Sequence, residues 1–470
     1  MTSVVPVASY SPRLRTALVL TGAGTAGAYQ AGVLRALTEA GVKIDVIAAH
    51  GPGVANAVMT SVDGAARLGD PHGPWTSPNL TRAYRWRLGL RLAGGGILFA
   101  LAALLLPLIV LVVAAGVYGA ALLASFANLP GIGADIMRAY TVILDILFHP
   151  PILPTVIPRL MVLCLLVVGA VLAGAAWRAR RMRRSRRRIS GATWWQLLGS
   201  PIDVSEPTRT LTNAVWSLVR GASTEAMPAA AEIGRLYVDL LTENFGQPGF
   251  CDVVLGLHDL DARRDLALAV LPEARLALFA AKRAVAGARE AEAIDLTTPM
   301  RDHLAELIAG GLHIPGATTG QAVTFPAEHY WQGETHRLCD RPEIVHRLVE
   351  ESIGLGAEQI IFISAAPPAS VPHALGPQPG DLRGRAGEWL RSVETAVLDD
   401  AITLSAARFS GVFAIRPTHN PIGPFHFSGT YDESSDRMRT LADLQQQGYE
   451  DAYRVFIEPV VASGERVDTI

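Results

Sequence analysis

A stretch without a single charged side chain, residues 94–134, limits what this chain can fold into more than any other feature. Within it, residues 97–126 are almost entirely Ala, Leu, Val and Ile, and a membrane-spanning helix needs only about 20 apolar residues. A second apolar run, residues 160–177, is close to the minimum spanning length. Helices buried in a soluble core are the alternative, but they rarely lack charge over this length. The sequence therefore predicts a transmembrane helical hairpin.

The composition of the whole chain agrees with a membrane protein. Half of its 470 residues are hydrophobic, 18% are charged and the mean hydropathy is +0.28, whereas disordered chains are rich in charge and poor in large apolar side chains. A formal net charge of −2 indicates no nucleic-acid or acidic partner. The three cysteines have no CxxC or metal-like spacing, so we expect a reducing compartment, no disulfide framework, and no metal or cofactor.

Basic side chains flank both ends of the predicted hairpin. Four arginines lie between positions 82 and 91, and eight lie between positions 178 and 188. Because positively charged loops stay in the cytoplasm, we predict two transmembrane helices in a bacterial inner membrane, with both ends cytoplasmic. We expect the second cluster to contact anionic lipid headgroups; nucleic acid is the alternative, and the position directly after a span favours lipid. The arginines expected to make this contact are Arg178, Arg180, Arg181, Arg183 and Arg184.

The hairpin interrupts what we interpret as one cytoplasmic domain. Residues 1–80 form its first part, residues 81–190 hold the hairpin and its basic flanks, and residues 191–470 form the remainder with a C-terminal tail. The first part contains two successive strand–turn–helix patterns, and strands alternate with helices again after the hairpin. Such alternation predicts an α/β sheet that is mostly parallel.

A glycine-rich turn follows the first predicted strand and precedes a helix. It reads Gly22-Ala23-Gly24-Thr25-Ala26-Gly27, and its G-x-G-x-x-G spacing matches a dinucleotide-binding fingerprint. That fingerprint needs an acidic residue at the end of the second strand, where this chain has Ala48-Ala49-His50. Backbone amides in such a turn can instead hold an anion or an oxyanion. A tight packing turn without a ligand is the remaining alternative.

A second turn follows the second predicted strand; it reads His50-Gly51-Pro52-Gly53 and continues as Val54-Ala55-Asn56-Ala57. It resembles the nucleophile elbow of patatin-like phospholipases, in which G-x-S-x-G is followed by a small residue, an apolar residue and then Asn-Ala. Further along, Tyr330-Trp331-Gln332-Gly333-Glu334 is similar to the family's Tyr-x-Asp-Gly-Gly. The C-terminal tail, residues 427–459, resembles bacterial members that carry membrane segments. The resemblance implies a three-layer α/β/α sandwich, here with an inserted transmembrane hairpin.

The resemblance implies a Ser–Asp dyad, and the chain departs from it at both positions. In the family the serine attacks a lipid ester, the aspartate activates it, and the glycine-rich loop holds the oxyanion. The serine position corresponds to Gly51 and the aspartate position to Gln332. Glycine has no nucleophile and glutamine is no base, so the dyad is lost and loss of the nucleophile costs orders of magnitude in rate. The residues assigned to the oxyanion-type loop are Gly22, Ala23, Gly24, Thr25 and Gly27.

These departures lead us to expect a catalytically inactive protein that binds lipid or acyl groups, or regulates a membrane assembly. Its expected partners are membrane lipids and either a membrane protein complex or further copies of itself. An acyl hydrolase with a displaced nucleophile is one alternative, and a structural membrane protein with a closed cleft is another. We interpret His50 as a neutral histidine of the turn rather than as a catalytic base.

Overall fold

The computed structural model describes residues 10–127, 130–147, 156–182, 202–281, 288–372 and 380–461. The chain divides into two compact units. One comprises Met1–Arg85 together with Asp203–Ile470, and the other comprises Trp86–Ile202. The first unit is a mixed α/β domain, and the second consists mainly of long apolar helices.

The strands are short and the helices mostly alternate with them. In chain order, the strands are β1 (Thr16–Thr21), β2 (Val46–Ala49), β3 (Arg85–Trp86), β4 (Ile202–Asp203), β5 (Asp252–Asp259), β6 (Arg264–Val270), β7 (Ala293–Asp295), β8 (Gln321–Thr324), β9 (Thr335–Cys339), β10 (Gln359–Ser364), β11 (Gly411–Ile415), β12 (Thr430–Asp432) and β13 (Arg437–Arg439). The helices are α1 (Ala26–Glu39), α2 (Gly53–Thr60), α3 (Ala65–Leu68), α4 (Leu88–Phe126), α5 (Pro130–Leu147), α6 (Val156–Met182), α7 (Ser205–Val219), α8 (Ala230–Glu243), α9 (Glu273–Ala281), α10 (Ala288–Glu292), α11 (Leu304–Leu312), α12 (Ile344–Gly354), α13 (Leu382–Ser405) and α14 (Leu441–Ala452). Short 3-10 turns lie at Pro74–Thr76, Leu80–Arg82 and Pro299–His303, and Tyr453–Val461 is a π-helix.

A central sheet with the order β11-β10-β1-β2-β5-β6-β7 organises the first unit, and β9 joins β5 and carries β8. The neighbours from β11 to β5 all pair in parallel, while β5 pairs antiparallel with β6 and with β9. Parallel strands are covered by helices on both faces, which explains why β1, β2 and β10 are buried at every position. The predicted mostly parallel α/β sheet is therefore confirmed.

One face of this sheet packs against helices α12 and α13. Val19 and Val46 of the sheet belong to the same buried cluster as Leu348 of α12 and Leu398 of α13. On such a face, each fully buried aliphatic side chain stabilises the fold by about 1.5–3 kcal/mol. This cluster holds the strands rigidly, so the turns at their carboxyl ends are fixed in position.

Helices α1 and α14 cross at unusually close range in the first unit. A Cβ atom added to Gly448 would lie inside van der Waals contact with the backbone oxygen of Tyr29, and one added to Gly32 would meet the backbone oxygen of Gln445 in the same way. The phenol of Tyr29 donates a hydrogen bond to Asp451 Oδ2 at 3.1 Å. The two glycines therefore permit a helix crossing that any side chain would push apart.

The second unit is built on a single continuous helix. Helix α4 has 39 residues, which is about 58 Å at 1.5 Å per residue, against a bilayer core about 30 Å thick. Its two halves, Leu88–Leu106 and Leu108–Phe126, are each long and apolar enough to cross a membrane, and helix α6 holds a shorter apolar stretch, Arg159–Gly174. The predicted first span thus begins earlier than residue 97 and is longer than one bilayer.

Helices α5 and α6 contact different halves of α4. The Tyr140 hydroxyl of α5 donates to the backbone oxygen of Val110 at 2.9 Å, and Gly96 of α4 faces Cys164 and Val168 of α6. The outer surface of α4 remains apolar, with Phe126 85% exposed within the chain. Three arginines of the predicted lipid contact, Arg178, Arg180 and Arg181, lie at the end of α6. The other two, Arg183 and Arg184, lie outside the described residues.

We predict that Gly448→Ala destabilises the first unit, because the new methyl group cannot be accommodated between α14 and α1. Overpacking of this kind costs about 1–3 kcal/mol, so the thermal midpoint of the detergent-solubilised protein should fall by a few degrees. Gly380→Ala is the matched control, since a Cβ there meets no atom within 4 Å. Equal midpoints for the two variants would contradict the close crossing.

Candidate functional site

The turn after β2 has the backbone of a nucleophile elbow. Gly51 has a φ of +61°, and helix α2 begins two residues later at Gly53. In hydrolases with such an elbow, the nucleophile occupies this sharp and strained turn between strand and helix. Here the position is buried and carries no side chain. An ideal Cβ on Gly51 would lie inside van der Waals contact with the Gly22 carbonyl oxygen and 3.0 Å from Oδ2 of Asp340.

Strand pairing brings the elbow and the glycine-rich loop together. Strands β1 and β2 pair in parallel with Leu20 opposite Ala49, so both turns emerge at the same edge of the sheet. In open parallel sheets this edge is where ligands bind. The loop Gly22–Gly27 and the elbow His50–Gly53 of the sequence analysis are therefore neighbours in the structure.

Asn56, in the stretch that resembles the family's Asn-Ala, ties the two turns to each other. Its amide nitrogen donates to the Gly27 carbonyl and to Oε1 of Gln30, both at 2.9 Å. Its side-chain oxygen accepts a hydrogen bond from Nε1 of Trp75 at 2.8 Å. The residue is fully buried, so each of these bonds compensates for the loss of water. Asn56 thus holds helix α2 against α1.

A buried histidine–aspartate pair lies beside Gly51. Nδ1 of His50 is 2.8 Å from Oδ1 of Asp340, and the two side chains are only 1% and 2% exposed. Burial alone would lower the pKa of His50, but the charge of Asp340 and its hydrogen bond outweigh burial and raise the pKa above its usual value. A histidine oriented by a carboxylate is the arrangement of a general base, but here the position for a nucleophile is a glycine.

Glu394 of α13 completes the buried cluster. Its carboxylate lies close enough to the backbone N–H of Ala23 in the glycine-rich loop for that amide to lower its pKa. Burial, followed by the charge of Asp340, raises the pKa of Glu394 to about 7, while His50 and Arg391 act in the opposite direction. Among the described residues, Oε1 of Glu394 and Nε2 of His50 have no hydrogen-bond partner. We call His50, Asp340 and Glu394 the elbow cluster.

Polar groups of the glycine-rich loop are hydrogen-bonded to other groups of the protein. The Thr25 N–H donates to the Pro424 carbonyl and the Thr25 hydroxyl donates to the Gly423 carbonyl, both at 3.1 Å. Gly24, with a φ of +57°, lies so close to Pro424 that a Cβ would overlap its carbonyl oxygen. An oxyanion hole needs amides that point at the reacting oxygen, and these amides point at protein acceptors.

Tyr84 is a buried aromatic residue close to the elbow cluster. Its side chain is fully buried, and its hydroxyl donates to the Leu312 carbonyl at 2.6 Å. Its ring stacks on Phe427 with centroids 5.2 Å apart and meets Phe425 edge-on at 5.5 Å. Burial, with a further contribution from the charge of Asp340, raises the pKa of Tyr84 far above the usual phenol value.

The structure does not bring Gln332 to the elbow. Gln332 is exposed in the turn between β8 and β9, where its backbone N–H donates to the His329 carbonyl at 2.8 Å. Asp340 follows β9 at its opposite end, and the five residues of this strand span about 16 Å at 3.3 Å per residue. The carboxylate that faces Gly51 is that of Asp340, and its position directly after a strand was a sequence signal for it.

Comparison with known proteins adds little to this geometry. No family model matches the chain, and no curated protein matches it. Among solved structures, the chain is similar to VipD from Legionella pneumophila, with 12% sequence identity and a TM-score of 0.32 over 95% of this chain and 67% of that chain.

We predict that stability falls as Glu394 ionises. Because its pKa is raised to about 7 in the folded protein, above its value in the unfolded chain, the stabilising contribution is complete at low pH and is lost as the pH rises through about 7. The thermal midpoint should therefore decrease from about pH 4.5, the ordinary value, to about pH 7 and change little above it on account of this group. Glu394→Gln, which stays neutral, should remove that part of the decrease.

Glu388→Gln is the matched control for this measurement, since Glu388 is exposed on the same helix. It should leave the pH dependence as in the unmodified chain. The raised pKa of His50 acts in the same direction as that of Glu394. An unchanged pH dependence in Glu394→Gln would therefore assign the effect to His50 and contradict the role given to Glu394.

Proposed function

We propose that this chain is a membrane-anchored patatin-like protein that does not hydrolyse esters and serves as a lipid-associated regulatory subunit of a membrane assembly. The observation that carries the proposal is that the elbow has no room for a nucleophilic side chain. At the nucleophile position there is a glycine whose Cβ direction is blocked by the Gly22 carbonyl. The nearby loop amide of Thr25 already donates to the Pro424 carbonyl at 3.1 Å.

The patatin-like assignment rests on arrangement rather than on any single motif. A glycine-rich loop follows β1, a positive-φ elbow follows the adjacent β2, and an aspartate lies beside the elbow from a later strand. Helices lie on both sides of the sheet that carries these turns. A three-layer α/β/α sandwich of the patatin type accounts for this order, and the sequence resemblance at residues 47–57 points the same way.

The absence of an attacking group supports the non-hydrolytic role. Within the described residues, neither His50 nor Asp340 has a hydrogen bond to a Ser, Thr or Cys side chain. Ser61, the nearest serine along the elbow helix, hydrogen-bonds to Tyr237 and to the Val58 carbonyl instead. At the elbow, a displaced nucleophile, the enzyme alternative of the sequence analysis, therefore lacks the activated hydroxyl that it requires. Elsewhere, the Ser434 hydroxyl lies 3.2 Å from Nε2 of His419, but it donates to Oδ1 of Asp432 at 2.7 Å and belongs to the segment between β12 and β13 rather than to the turns at the sheet edge.

The closed cleft also favours a second candidate, a purely structural membrane protein. Gly51, His50 and Tyr84 are all buried, so the elbow is closed to solvent in this conformation. The two candidates differ in whether the cleft ever opens to a lipid or acyl group. In both, helices α4 and α6 anchor the protein, and we propose a cytoplasmic α/β unit with arginines after α6 at the anionic lipid surface.

We predict that the unmodified protein shows no esterase or phospholipase activity and no labelling by a fluorophosphonate. Gly51→Ser should remain inactive and less stable, because its Cβ must displace the Gly22 carbonyl before Oγ can approach Asp340. Gly51→Ala introduces the same Cβ without the oxygen, so the two variants should lose similar stability. The measurement is p-nitrophenyl ester turnover and thermal midpoint in detergent for all three proteins.

The result that would overturn the proposal is robust turnover by the unmodified chain that survives purification and is abolished by replacement of another serine. Turnover by Gly51→Ser but not by Gly51→Ala would mean something different. It would show that the elbow and Asp340 remain competent and that only the missing oxygen prevents hydrolysis.

The proposed topology predicts that the α/β unit is shielded from the outside of the cell. Protease added to right-side-out spheroplasts should leave the chain after residue 188 intact, because basic segments flank the membrane helices on both sides. The same protease added to permeabilised spheroplasts should digest it. Cleavage of this part in sealed spheroplasts would contradict the cytoplasmic orientation.

A further inference from the structure

Tyr84 is held in a conformation that its residue type disfavours. Its φ is +52°, a left-handed backbone angle that is uncommon for a bulky aromatic residue. Such strain persists only when surrounding contacts overcome it, and it is a feature of switch regions. Here the compensating contacts all come from the side chain: the hydrogen bond to the Leu312 carbonyl and the two rings of Phe425 and Phe427.

The residue that accepts the hydrogen bond of Tyr84, Leu312, lies between two residues that contact the elbow and Asp340. Leu312 follows Gly311, whose own Cβ position is blocked by the Gly51 carbonyl oxygen. Leu312 also precedes His313, whose carbonyl accepts a hydrogen bond from the Asp340 N–H at 2.8 Å. The segment that anchors Tyr84 therefore touches both the glycine of the elbow and the aspartate beside it.

Tyr84 is also joined directly to the membrane part of the chain. It lies between the 3-10 turn Leu80–Arg82 and the first residue of α4, Leu88. A displacement of α4 along its axis thus acts on Tyr84 through only three intervening residues. Because α4 is longer than a bilayer is thick, its depth and tilt depend on the thickness of the membrane.

We propose that Tyr84 is a tethered plug: its ring fills a slot beside the elbow cluster, and movement of α4 in the membrane withdraws it. The inference rests on the proposed lipid-associated regulatory role and supplies its switch. The vacated slot is apolar along Phe425 and Phe427 and ends at a carbonyl acceptor, so it suits a single apolar group that carries a hydroxyl donor. The backbone strain at Tyr84 favours release, and the side-chain contacts favour closure.

The plug is tested on the full chain in lipid nanodiscs by hydrogen–deuterium exchange of peptides covering residues 20–27 and 46–56. Tyr84→Ala should accelerate exchange there by on the order of tenfold. Added p-cresol, which has the shape and hydroxyl of the missing side chain, should restore protection, whereas toluene should not. Tyr237→Ala is the matched control, because Tyr237 is equally buried and its hydroxyl bonds to Ser61.

Unchanged exchange in Tyr84→Ala, or equal rescue by toluene and p-cresol, would overturn the plug. Protection of strands β10 and β11 reports whether the variant is folded. If these strands also lose protection, Tyr84→Phe provides the test, since it keeps the ring and loses only the bond to Leu312. It should give a smaller acceleration at the elbow, and no acceleration would likewise overturn the proposal.

The connection between α4 and Tyr84, which we call the tether, is tested by varying the thickness of the bilayer. In the unmodified chain, exchange at the elbow should differ between nanodiscs of short-chain and long-chain phosphatidylcholine. A flexible Gly-Ser insertion between Trp86 and Leu88 should abolish that difference, and its persistence would overturn the tether. Ester turnover by Tyr84→Ala would refute the non-hydrolytic function while leaving the plug intact, so the two failures are distinguishable.

Discussion

The approach of Gly51 to the Gly22 carbonyl is the constraint on which the site depends. Parallel pairing of β1 with β2 brings the two turns to one edge of the sheet, and the space between them is too small for a Cβ. Because the strands are fixed by buried side chains on both faces, the turns cannot separate without disturbing the core. The same pairing that would position a nucleophile against an oxyanion loop here leaves no place for one.

Ionisable side chains are buried beside the elbow. An unpaired charge in the interior is costly, and the elbow cluster reduces that cost by pairing His50 with Asp340. A carboxyl group with a pKa near neutrality, such as that of Glu394, can also lose its charge by taking up a proton. The charge of the cluster therefore depends on the pH near neutrality.

Local features of the sequence predicted much of the fold, and long-range contacts explain what it missed. The two strand–turn–helix patterns predicted in residues 1–80 are present as β1–α1 and β2–α2, because hydrophobic periodicity and turn residues depend on neighbours in sequence. Residues that reach the elbow from distant positions were not identified. Glu394 comes from the middle of α13 and has an ordinary helical surrounding in sequence, and the aspartate position was assigned to Gln332 because the motif there looked similar. Only the path of β9 shows that Asp340 faces Gly51.

The long apolar helix α4 and the elbow are connected by chain geometry. The 39-residue α4 is longer than a bilayer is thick, so a bilayer alone would not fix its depth. The segment before it contains Tyr84, whose left-handed backbone is offset by side-chain contacts with Leu312, Phe425 and Phe427. Withdrawal of this ring would expose the buried charges of the elbow cluster to their surroundings without new partners, which is costly. The proposed plug is therefore closed by default, and the position of α4 is the variable that would open it.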